Sequence, residues 1–346
     1  MAKRQYEVWK GKNIFIFKGR LIFGPDAKSL IITVLLIIVP VIIFCTNVAR
    51  NLINEIPGNI QGFAILLVTV VLTIYVLLLL LLTSARDPGI VPRNPNPPTE
   101  ELCYDSSASI DAFGSRSQTP TPRLPTTKEV IVNGVAIRVK YCTTCMLYRP
   151  PRCSHCSVCD NCVERFDHHC PWVGQCIGMR NYRSFFMFIS SASLLCIFIF
   201  AMSALNIKFL VDDNGTVWKA MKESPLSVVL MVYSFIFLWF VGGLTCFHLY
   251  LIGTNQTTYE TFRYRGVQRP RVYDHGCFNN FREIFCSKIK PSRNNFSAYV
   301  GENERGPGNL GMNYNYAGEL DGNRREKVED DREIGGDLLK ISQRPE

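Results

Sequence analysis

The sequence predicts an all-α polytopic membrane protein: four transmembrane helices with, between helices 2 and 3, a cytosolic Cys/His-rich domain containing short β-hairpins. Two observations predict this architecture. The apolar residues, 47% of the 346, concentrate in four long blocks. Eight of the 14 cysteines fall within residues 142–176, together with three of the five histidines. Apolar blocks of this kind belong in a bilayer, and Cys/His clusters of this kind belong around metal ions.

Each apolar block is long enough to form a membrane span, because a hydrocarbon core about 30 Å thick takes about 20 helical residues. The blocks are residues 30–48, 63–83, 185–210 and 226–252. A buried helix of a soluble protein is rarely apolar on every face over such lengths. Four spans would place both termini on the same side of the bilayer.

The distribution of lysine and arginine predicts the orientation of these spans. The N-terminal arm, residues 1–29, carries seven basic residues, and the segments on the same side of the later spans are also basic. The two short loops on the other side are poorer in basic residues, so we expect both termini and the Cys/His-rich domain to be cytosolic. The arm is expected to lie on an anionic membrane surface. Asn214-Gly215-Thr216 is then a candidate lumenal glycosylation sequon.

The Cys/His-rich stretch contains two C-x2-C pairs, Cys142 with Cys145 and Cys156 with Cys159, which each offer a metal ion two thiolates. Their clustering with histidine favours metal over disulfides and a reducing compartment. The residues that can supply the remaining ligands are His155, Cys162, His169 and Cys176. Two structural zinc ions would use all eight residues, although spacing alone does not determine which residues share an ion.

Three residues of the stretch exceed this metal count: Cys153, His168 and Cys170. Asp167 precedes His168 and can fix its tautomer, and a histidine held in this way can take the proton of a nearby thiol. A free thiol has a pKa of about 8.5, which a neighbouring histidine lowers. The surplus therefore suggests a nucleophilic Cys170. The alternative is that every cysteine and histidine here is a ligand in a binding module.

The order of these residues, C-x2-C-x9-H-C-x2-C-x2-C-x4-D-H-H-C-P-W-x3-C, resembles the cysteine-rich domain of the DHHC protein S-acyltransferases (palmitoyltransferases). Three further motifs resemble the same family: DPG at 87–89, TTYE at 257–260, which is similar to its TTxE motif, and residues 273–285, which are similar to its C-terminal PaCCT element. Some members, notably plant ones, also share an opening like that of this chain.

The resemblance implies a reaction and its residues. Cys170 would take a fatty acyl group from acyl-CoA, with palmitoyl-CoA the expected co-substrate, and pass it to a protein cysteine. His168 would be its base, and Asp167 would orient His168. The resemblance also implies how the ligands are shared. One zinc would be held by Cys142, Cys145, His155 and Cys162, and the other by Cys156, Cys159, His169 and Cys176.

The resemblance implies further roles around an acyl cavity between the four spans. The supporting residues would be Thr258, which would contact Asp167, and Asn181, Asn280 and Asp87. The substrate contacts would be Trp172 beside the acyl group, Leu195 at the far end of the cavity, and Arg149 and Arg152 at the CoA phosphates. A solvated surface is the alternative interpretation of both arginines.

Composition, spans and resemblance together predict the domain organisation. A hairpin signal around Asn133-Gly134 places the start of the zinc domain near residue 129. The predicted segments are a basic arm (1–29), helices 1–2 (30–83), a DPG motif and flexible linker (84–128), the zinc domain (129–184), helices 3–4 (185–252), a TTxE and PaCCT-like region (253–287) and a disordered tail (288–346).

The expected partners are palmitoyl-CoA, the lipid bilayer, and cytosolic or membrane-associated proteins with accessible cysteines, with no nucleic acid. The plasma membrane and Golgi or endosomal membranes all suit these spans. Cys277 or Cys286 could itself be acylated, although simple burial is the alternative. His248 is expected to be a polar contact between helices.

Two other classes compete with this interpretation. A membrane-anchored zinc adaptor, such as a RING-like domain, would leave Asp167, His168 and Cys170 unexplained, and the chain lacks the RING order of ligands. An ion transporter would need charged residues within its spans. The spans contain few ionisable residues of this kind, Lys208 and His248, each near the end of its span.

Overall fold

The computed structural model describes residues 2–55, 60–96, 125–265 and 271–301. Within these ranges, four helices are long and apolar enough to cross a membrane. The predicted tail beyond residue 301 and most of the predicted linker, residues 97–124, lie outside the described residues, as does the side chain of Asn214 in the glycosylation sequon.

The helices extend beyond the apolar blocks seen in the sequence. The first span is continuous from Ser29 to Glu55, with a π-helical stretch in its middle. The helices are α1 (Ser29–Ile43), the π-helical segment (Phe44–Ala49), α2 (Arg50–Glu55), α3 (Ile60–Ala85), α4 (Tyr182–Asn214), α5 (Val217–Glu223), α6 (Pro225–Gly253), α7 (Thr258–Arg263) and α8 (Cys277–Cys286).

Hydrogen bonds from polar side chains connect the apolar helices to one another. Pro40 has no N–H, so the carbonyl of Leu36 loses its donor one turn later in α1. The Tyr233 hydroxyl of α6 donates to that carbonyl at 2.6 Å. Ser193 of α4 and Thr245 of α6 are likewise hydrogen-bonded at 3.1 Å. Helix α4 packs against both α3 and α6 and so lies at the centre of the bundle.

Short antiparallel hairpins make up the Cys/His-rich region, as the sequence predicts. Asn133 (φ 49°) and Gly134 (φ 78°) form the two-residue turn of the first hairpin, whose positive φ angles suit these residue types. The strands are β1 (Ile14–Ile16), β2 (Leu21–Phe23), β3 (Thr127–Val132), β4 (Val135–Cys142), β5 (Leu147–Tyr148), β6 (Ser154–Cys156), β7 (Asn161–Val163), β8 (His168–Cys170) and β9 (Gln175–Ile177).

The pairing of these strands is simple. Strand β1 pairs with β2, β4 pairs with both β3 and β5, β6 pairs with β7, and β8 pairs with β9. No single pair could be stable alone, because an isolated two-stranded hairpin is marginal in water. The region has few large apolar residues, and its buried interior consists mainly of cysteines.

Residues 288–301 differ from the sequence-based expectation of a disordered tail. Phe296 is buried and makes aromatic contacts with Trp9 and Phe15, each with ring centroids 5.0 Å apart. The backbone N–H of Tyr6 donates to the Phe296 carbonyl at 3.0 Å. We name this arrangement, residues 4–23 with residues 292–300, the terminal clasp. Composition could not reveal it, because one buried phenylalanine anchors a mostly polar segment.

We expect Phe296→Ala to open the terminal clasp, because truncating a buried phenylalanine costs about 3–5 kcal/mol. Hydrogen–deuterium exchange should then be faster at the backbone N–H groups of Gln5 and Tyr6, which donate to the Ala298 and Phe296 carbonyls. Phe17→Ala is the matched control, because Phe17 lies in the same hairpin but is 70% exposed. Equal exchange in the two variants would contradict the clasp.

Candidate functional site

The first Cys/His cluster is built by two hairpins. Strands β4 and β5 flank Cys142 and Cys145, whereas β6 and β7 place His155 directly opposite Cys162. His155 Nδ1 lies 3.6 Å from Cys142 Sγ, 3.6 Å from Cys145 Sγ and 3.8 Å from Cys162 Sγ. All four ligand atoms therefore face one point.

The second cluster repeats this construction one hairpin further along. Cys156 ends β6, Cys159 lies in the turn between β6 and β7, and the β8–β9 ladder places His169 opposite Cys176. His169 Nδ1 lies 3.8, 3.4 and 3.6 Å from the Sγ atoms of Cys156, Cys159 and Cys176, respectively. The two ligand sets interleave along the chain, which is the grouping that the family resemblance implied and that spacing alone left open.

Both clusters could hold a metal ion, since the candidate ligand atoms of each set lie within 4.8 Å of one another. In a tetrahedral site with Zn–S bonds of about 2.3 Å and Zn–N bonds of about 2.0–2.1 Å, sulfur and nitrogen lie about 3.6 Å apart. The observed separations of 3.4–3.8 Å fit this geometry. All eight residues are buried or partly buried, and all six cysteines are free of disulfides.

Each cluster histidine also has a carboxylate on its second ring nitrogen. His155 Nε2 lies 3.5 Å from Asp160, and His169 Nε2 lies 3.0 Å from Asp26. Such carboxylates fix the tautomer of a metal-binding histidine. Sequence reasoning missed both aspartates. Asp26 is 143 residues from His169 in the chain, and no local pattern marks it.

Close backbone contact brings Asp26 to the second cluster. Gly24 lies so near the β8–β9 turn that a Cβ atom would overlap the carbonyl oxygen of Gly174. Gly174 itself has φ 72°, a left-handed conformation that favours glycine. These two glycines let the N-terminal hairpin approach the strand that carries His169. The basic arm thus belongs to the same folded unit as the cluster.

The two faces of strand β8 carry residues with different roles. Successive side chains of a strand point to opposite faces, so His169 turns towards the second cluster while His168 and Cys170 share the other face. His168 Nδ1 lies 2.6 Å from Asp167 Oδ2, and the Thr258 backbone N–H donates to Asp167 Oδ1 at 2.9 Å. The structure therefore brings Asp167, His168 and Cys170 together, whereas Cys153 packs against the first cluster.

The electrostatics of this group favour a charged pair. Burial alone would raise the pKa of the Asp167 carboxyl, but the hydrogen bond with His168 and its charge outweigh burial and lower that pKa. Burial also disfavours charge on His168, and hydrogen bonds with Asp167 and Cys170 outweigh it, raising the pKa of His168 to about 9. The raised pKa means that His168 readily accepts a proton from a neighbouring group.

A cleft of about 500 Å³ opens beside this group. Three consecutive residues that include the proposed base line it, together with aromatic residues, one threonine and one cation. The lining residues are Asp167, His168, His169, Phe166, Thr258, Tyr259, Phe262 and Arg263. Because His168 lines the cleft and is 26% exposed, a reactant in the cleft can exchange a proton with its ring.

The predicted supporting residues Asp87 and Asn181 fasten the helix ends to the Cys/His-rich region. Asp87 Oδ1 accepts the backbone N–H groups of Gly89 and Ile90, and Oδ2 accepts Arg180 at 2.9 Å. Asn181 is fully buried and donates to the carbonyls at the end of α3 and at Cys176. These bonds satisfy backbone groups at the helix ends, which would otherwise be buried without partners.

Asn280 is hydrogen-bonded to the C-terminal end of α6. Its side chain donates to the carbonyl of Gly253, the last residue of α6, at 2.8 Å and to Asp274 at 2.8 Å. Thr257 caps α7, accepting from the N–H of Glu260 while Glu260 accepts the N–H of Thr257. This capping box holds Thr258 with its N–H towards Asp167.

Arg152 has contacts that differ from the CoA-phosphate role that the resemblance implied. Its guanidinium binds both carboxylate oxygens of Glu260, at 2.9 and 2.8 Å, and also Asn255 at 2.9 Å, and the side chain is only 8% exposed. These donors are occupied within the protein, so Arg152 braces the TTxE segment instead. Arg149 is partly exposed, and its Nε has no hydrogen-bond partner among the described residues.

The remaining predicted residues are Trp172, Leu195 and His248. Trp172 is 57% exposed, and its carbonyl accepts the Thr33 hydroxyl of α1 at 2.7 Å. Leu195 is buried within α4, in the same apolar cluster as Cys170. His248 of α6 is hydrogen-bonded to the Tyr182 hydroxyl of α4 at 3.0 Å, which confirms the predicted contact between helices.

Comparisons with known proteins agree with this arrangement. The family profile described as DHHC palmitoyltransferase matches residues 136–265. Protein S-acyltransferase 8 of Arabidopsis thaliana is 62% identical over 99% of this chain and 85% of its own length. Probable protein S-acyltransferase 9 of the same plant is 60% identical over 99% of this chain and 83% of its own length. This chain, with its four apolar helices, is therefore a multi-pass membrane protein that belongs to the DHHC palmitoyltransferase family.

Proposed function

We propose that this protein transfers a fatty acyl group, palmitoyl in the first instance, from acyl-CoA to cysteines of cytosolic or membrane-associated proteins through a thioester at Cys170. One observation carries the proposal. His168, hydrogen-bonded to Asp167 at 2.6 Å, shares a strand face with Cys170, next to the apolar helix bundle. The relatives named as protein S-acyltransferases support the reaction class.

The proposed reaction has two balanced steps. In the first, the Cys170 thiol gives its proton to His168, and the thiolate attacks the thioester carbonyl of acyl-CoA. The bond to the CoA sulfur breaks, and CoA leaves as a thiol after taking the proton from His168. In the second step, an acceptor cysteine gives its proton to His168 and attacks the acyl-Cys170 thioester. The bond to the Cys170 sulfur breaks, and this sulfur takes the proton back from His168. Proton transfer of this kind contributes about 10²–10⁴-fold to the rate.

Asp167 would act on His168 and not on the substrate. Its carboxylate accepts the N–H of His168 Nδ1, so that Nε2 is the nitrogen left to exchange protons with sulfur. The N–H of Thr258 fixes the other carboxylate oxygen. Asp167 is 1% exposed, so water does not compete with these bonds.

The position of Cys170 suits an amphiphilic substrate. Keeping a 16-carbon chain out of water is worth about 0.8 kcal/mol per CH2 group. Cys170 belongs to an apolar cluster that continues into α1, α3 and α4, where Leu195 would lie deeper along the acyl chain. Trp172 would border the chain at the entrance, and Arg149 would face the CoA phosphates.

We assign one structural zinc ion to each Cys/His cluster. Zinc with Cys3His ligands leaves no open coordination position, so neither ion would take part in the transfer. Their contribution would be to hold β8 in place, since His169 in the middle of this strand is a ligand. Metal binding supplies about 10–16 kcal/mol per structural site, which replaces the missing apolar core.

We place the termini and both clusters on the cytosolic side, following the distribution of lysine and arginine. We propose two revisions of the domain boundaries drawn from sequence. The Cys/His-rich domain would begin with β3 at Thr127, and the region after α6 would include residues 288–301. Plasma membrane, Golgi and endosomal membranes all remain suitable locations for spans of these lengths.

Auto-acylation tests the proposal. Protein purified in detergent is incubated with labelled palmitoyl-CoA, as the wild type, as Cys170→Ser and as Cys153→Ser. Wild type and Cys153→Ser should acquire label that hydroxylamine releases, whereas Cys170→Ser should acquire none while keeping two zinc ions per chain. Hydroxylamine-labile label that persists in Cys170→Ser with zinc intact would refute the proposed nucleophile and favour a zinc adaptor.

A further inference from the structure

His248 is a buried polar residue with one unused ring nitrogen. It lies in α6 with no exposed surface, and Phe185 packs against its ring edge-on at 5.2 Å. Nδ1 is hydrogen-bonded to the Tyr182 hydroxyl at 3.0 Å. Nε2 has no hydrogen-bond partner among the described residues. An unpaired polar atom in such surroundings costs free energy, which suggests a purpose other than packing.

The histidine lies beside the proposed reaction centre. A ring nitrogen of His248, a ring nitrogen of His168 and a carboxylate oxygen of Asp167 all lie within 4.8 Å of one another. The rings of His168 and His248 have centroids 6.1 Å apart. His248 is 80 residues or more from both partners in the chain, so helix packing alone creates this group.

The hydrogen bond to Tyr182 is compatible with either neutral tautomer of His248, because a phenol hydroxyl can donate or accept. If the Tyr182 hydroxyl donates to Nδ1, then Nε2 carries the hydrogen of the neutral ring. This tautomer presents a positive N–H edge to a group that includes a buried carboxylate, whereas the opposite tautomer would bury a second unpaired lone pair there. The nearby Asp167 carboxylate therefore favours the N–H group at Nε2.

Asp167 can use such a donor. An ionised carboxylate has about four acceptor positions. Two are occupied, by the Thr258 N–H and by His168 Nδ1. Its side chain has no exposed surface, so water cannot readily supply the rest. A buried charge is costly unless polar groups surround it.

We propose that His248 is a positioning residue for acyl transfer: through its Nε2–H it stabilises the Asp167 carboxylate and thereby keeps His168 aligned with Cys170. The inference rests on the proposed function, because it acts through Asp167 and His168. Tyr182 is the second member of the device, since its hydroxyl is hydrogen-bonded to Nδ1 of His248. Tyr182 lies in α4, His248 lies in α6 and His168 lies in β8. The packing of the apolar helices would therefore affect the geometry of the reaction centre.

The test measures single-turnover auto-acylation with palmitoyl-CoA in full-length, zinc-loaded protein. His248→Leu removes both ring nitrogens and keeps an apolar side chain, His248→Gln keeps a donor near the Nε2 position, and Tyr182→Phe removes the hydroxyl. Thr245→Val is the matched control, because it breaks a hydrogen bond between the same two helices, one turn of α6 earlier. Cys170→Ser is run in parallel.

We expect His248→Leu to lower the maximal acylation rate about tenfold or more, as for loss of a hydrogen bond to a charged group. The palmitoyl-CoA concentration at half-maximal rate should change less than about twofold, because substrate contacts are untouched. His248→Gln should recover most of the rate and Tyr182→Phe should be intermediate. Tyr182→Phe should add nothing in the His248→Leu background. Thr245→Val should behave as wild type.

Three results would overturn the inference while leaving the proposed function intact, provided that Cys170→Ser is inactive. These are a wild-type rate in His248→Leu, an equal loss in Thr245→Val, and a loss in His248→Leu that His248→Gln does not reduce. A third zinc ion per wild-type chain that His248→Leu removes would also overturn it, since the three side chains would then be ligands. Hydroxylamine-labile label in Cys170→Ser would instead refute the proposed function itself.

Discussion

Cys159→Ser is expected to lower the metal content from two ions to one per chain and to unfold the region around β8. Each structural zinc ion supplies about 10–16 kcal/mol of folding free energy, as much as the whole stability of many domains. Cys159 lies with His169 in the second cluster, and His169 is the central residue of β8. Metal analysis should show the loss, and limited proteolysis should cut within residues 154–177. Acylation should disappear with the fold.

Cys153→Ser is the matched control for this experiment. Cys153 is a free cysteine of the same region, partly buried against the first cluster, but it belongs to neither ligand set. We expect two metal ions per chain and a wild-type proteolysis pattern. Loss of a metal ion from Cys153→Ser, or retention of both in Cys159→Ser, would contradict the assignment of ligands.

Asp167→Asn should slow auto-acylation about 10²–10⁴-fold without loss of metal, because it disables the proposed general base. The asparagine oxygen can still accept the Thr258 N–H, which turns its NH2 group towards His168. His168 Nδ1 must then accept, so the ring proton moves to Nε2, and that nitrogen can no longer take the proton of Cys170. The measurement is the single-turnover rate at saturating palmitoyl-CoA, together with zinc content.

Glu129→Gln provides the control for this change of charge. Glu129 lies on β3 of the same domain, its side chain is 65% exposed, and it pairs with Arg138 on the surface. Exposed ion pairs contribute about 0–1 kcal/mol, so the variant should keep both its rate and its metal. If Asp167→Asn were as active as Glu129→Gln, His168 would not depend on Asp167 and the proposed arrangement would be wrong.

Much of this structure follows from local sequence. The four apolar blocks predict the four long helices because bilayer thickness sets a minimum length. Asn133-Gly134 predicts the first hairpin because both residues accept positive φ. The count of ligands left Cys153, His168 and Cys170 over, and the structure places His168 and Cys170 on the strand face away from the metal ligands. Each of these predictions depends on residues that are close together in the chain.

The features that sequence reasoning missed depend on distant residues. Asp26 reaches His169, and Phe296 packs against Trp9 and Phe15, only because the N-terminal hairpin folds back onto the domain. The contact of His248 with another helix was predicted, but its partner, Tyr182 of α4, could not be identified from the sequence. At Arg152 the resemblance implied a contact with the CoA phosphates, but the guanidinium is paired with Glu260 within the protein. Single side chains of this kind carry no periodicity, so no pattern reveals their partners.

Acyl transfer in two separated stages tests the central claim most directly. The protein is loaded with labelled palmitoyl-CoA, excess acyl-CoA is removed, and the labelled peptide is identified by mass. A cysteine-containing acceptor peptide is then added and the label is followed. The account predicts a hydroxylamine-labile acyl group on the Cys170 peptide that moves to the acceptor at least as fast as steady-state turnover. Label on another residue, or label on Cys170 that stays while turnover continues, would contradict it.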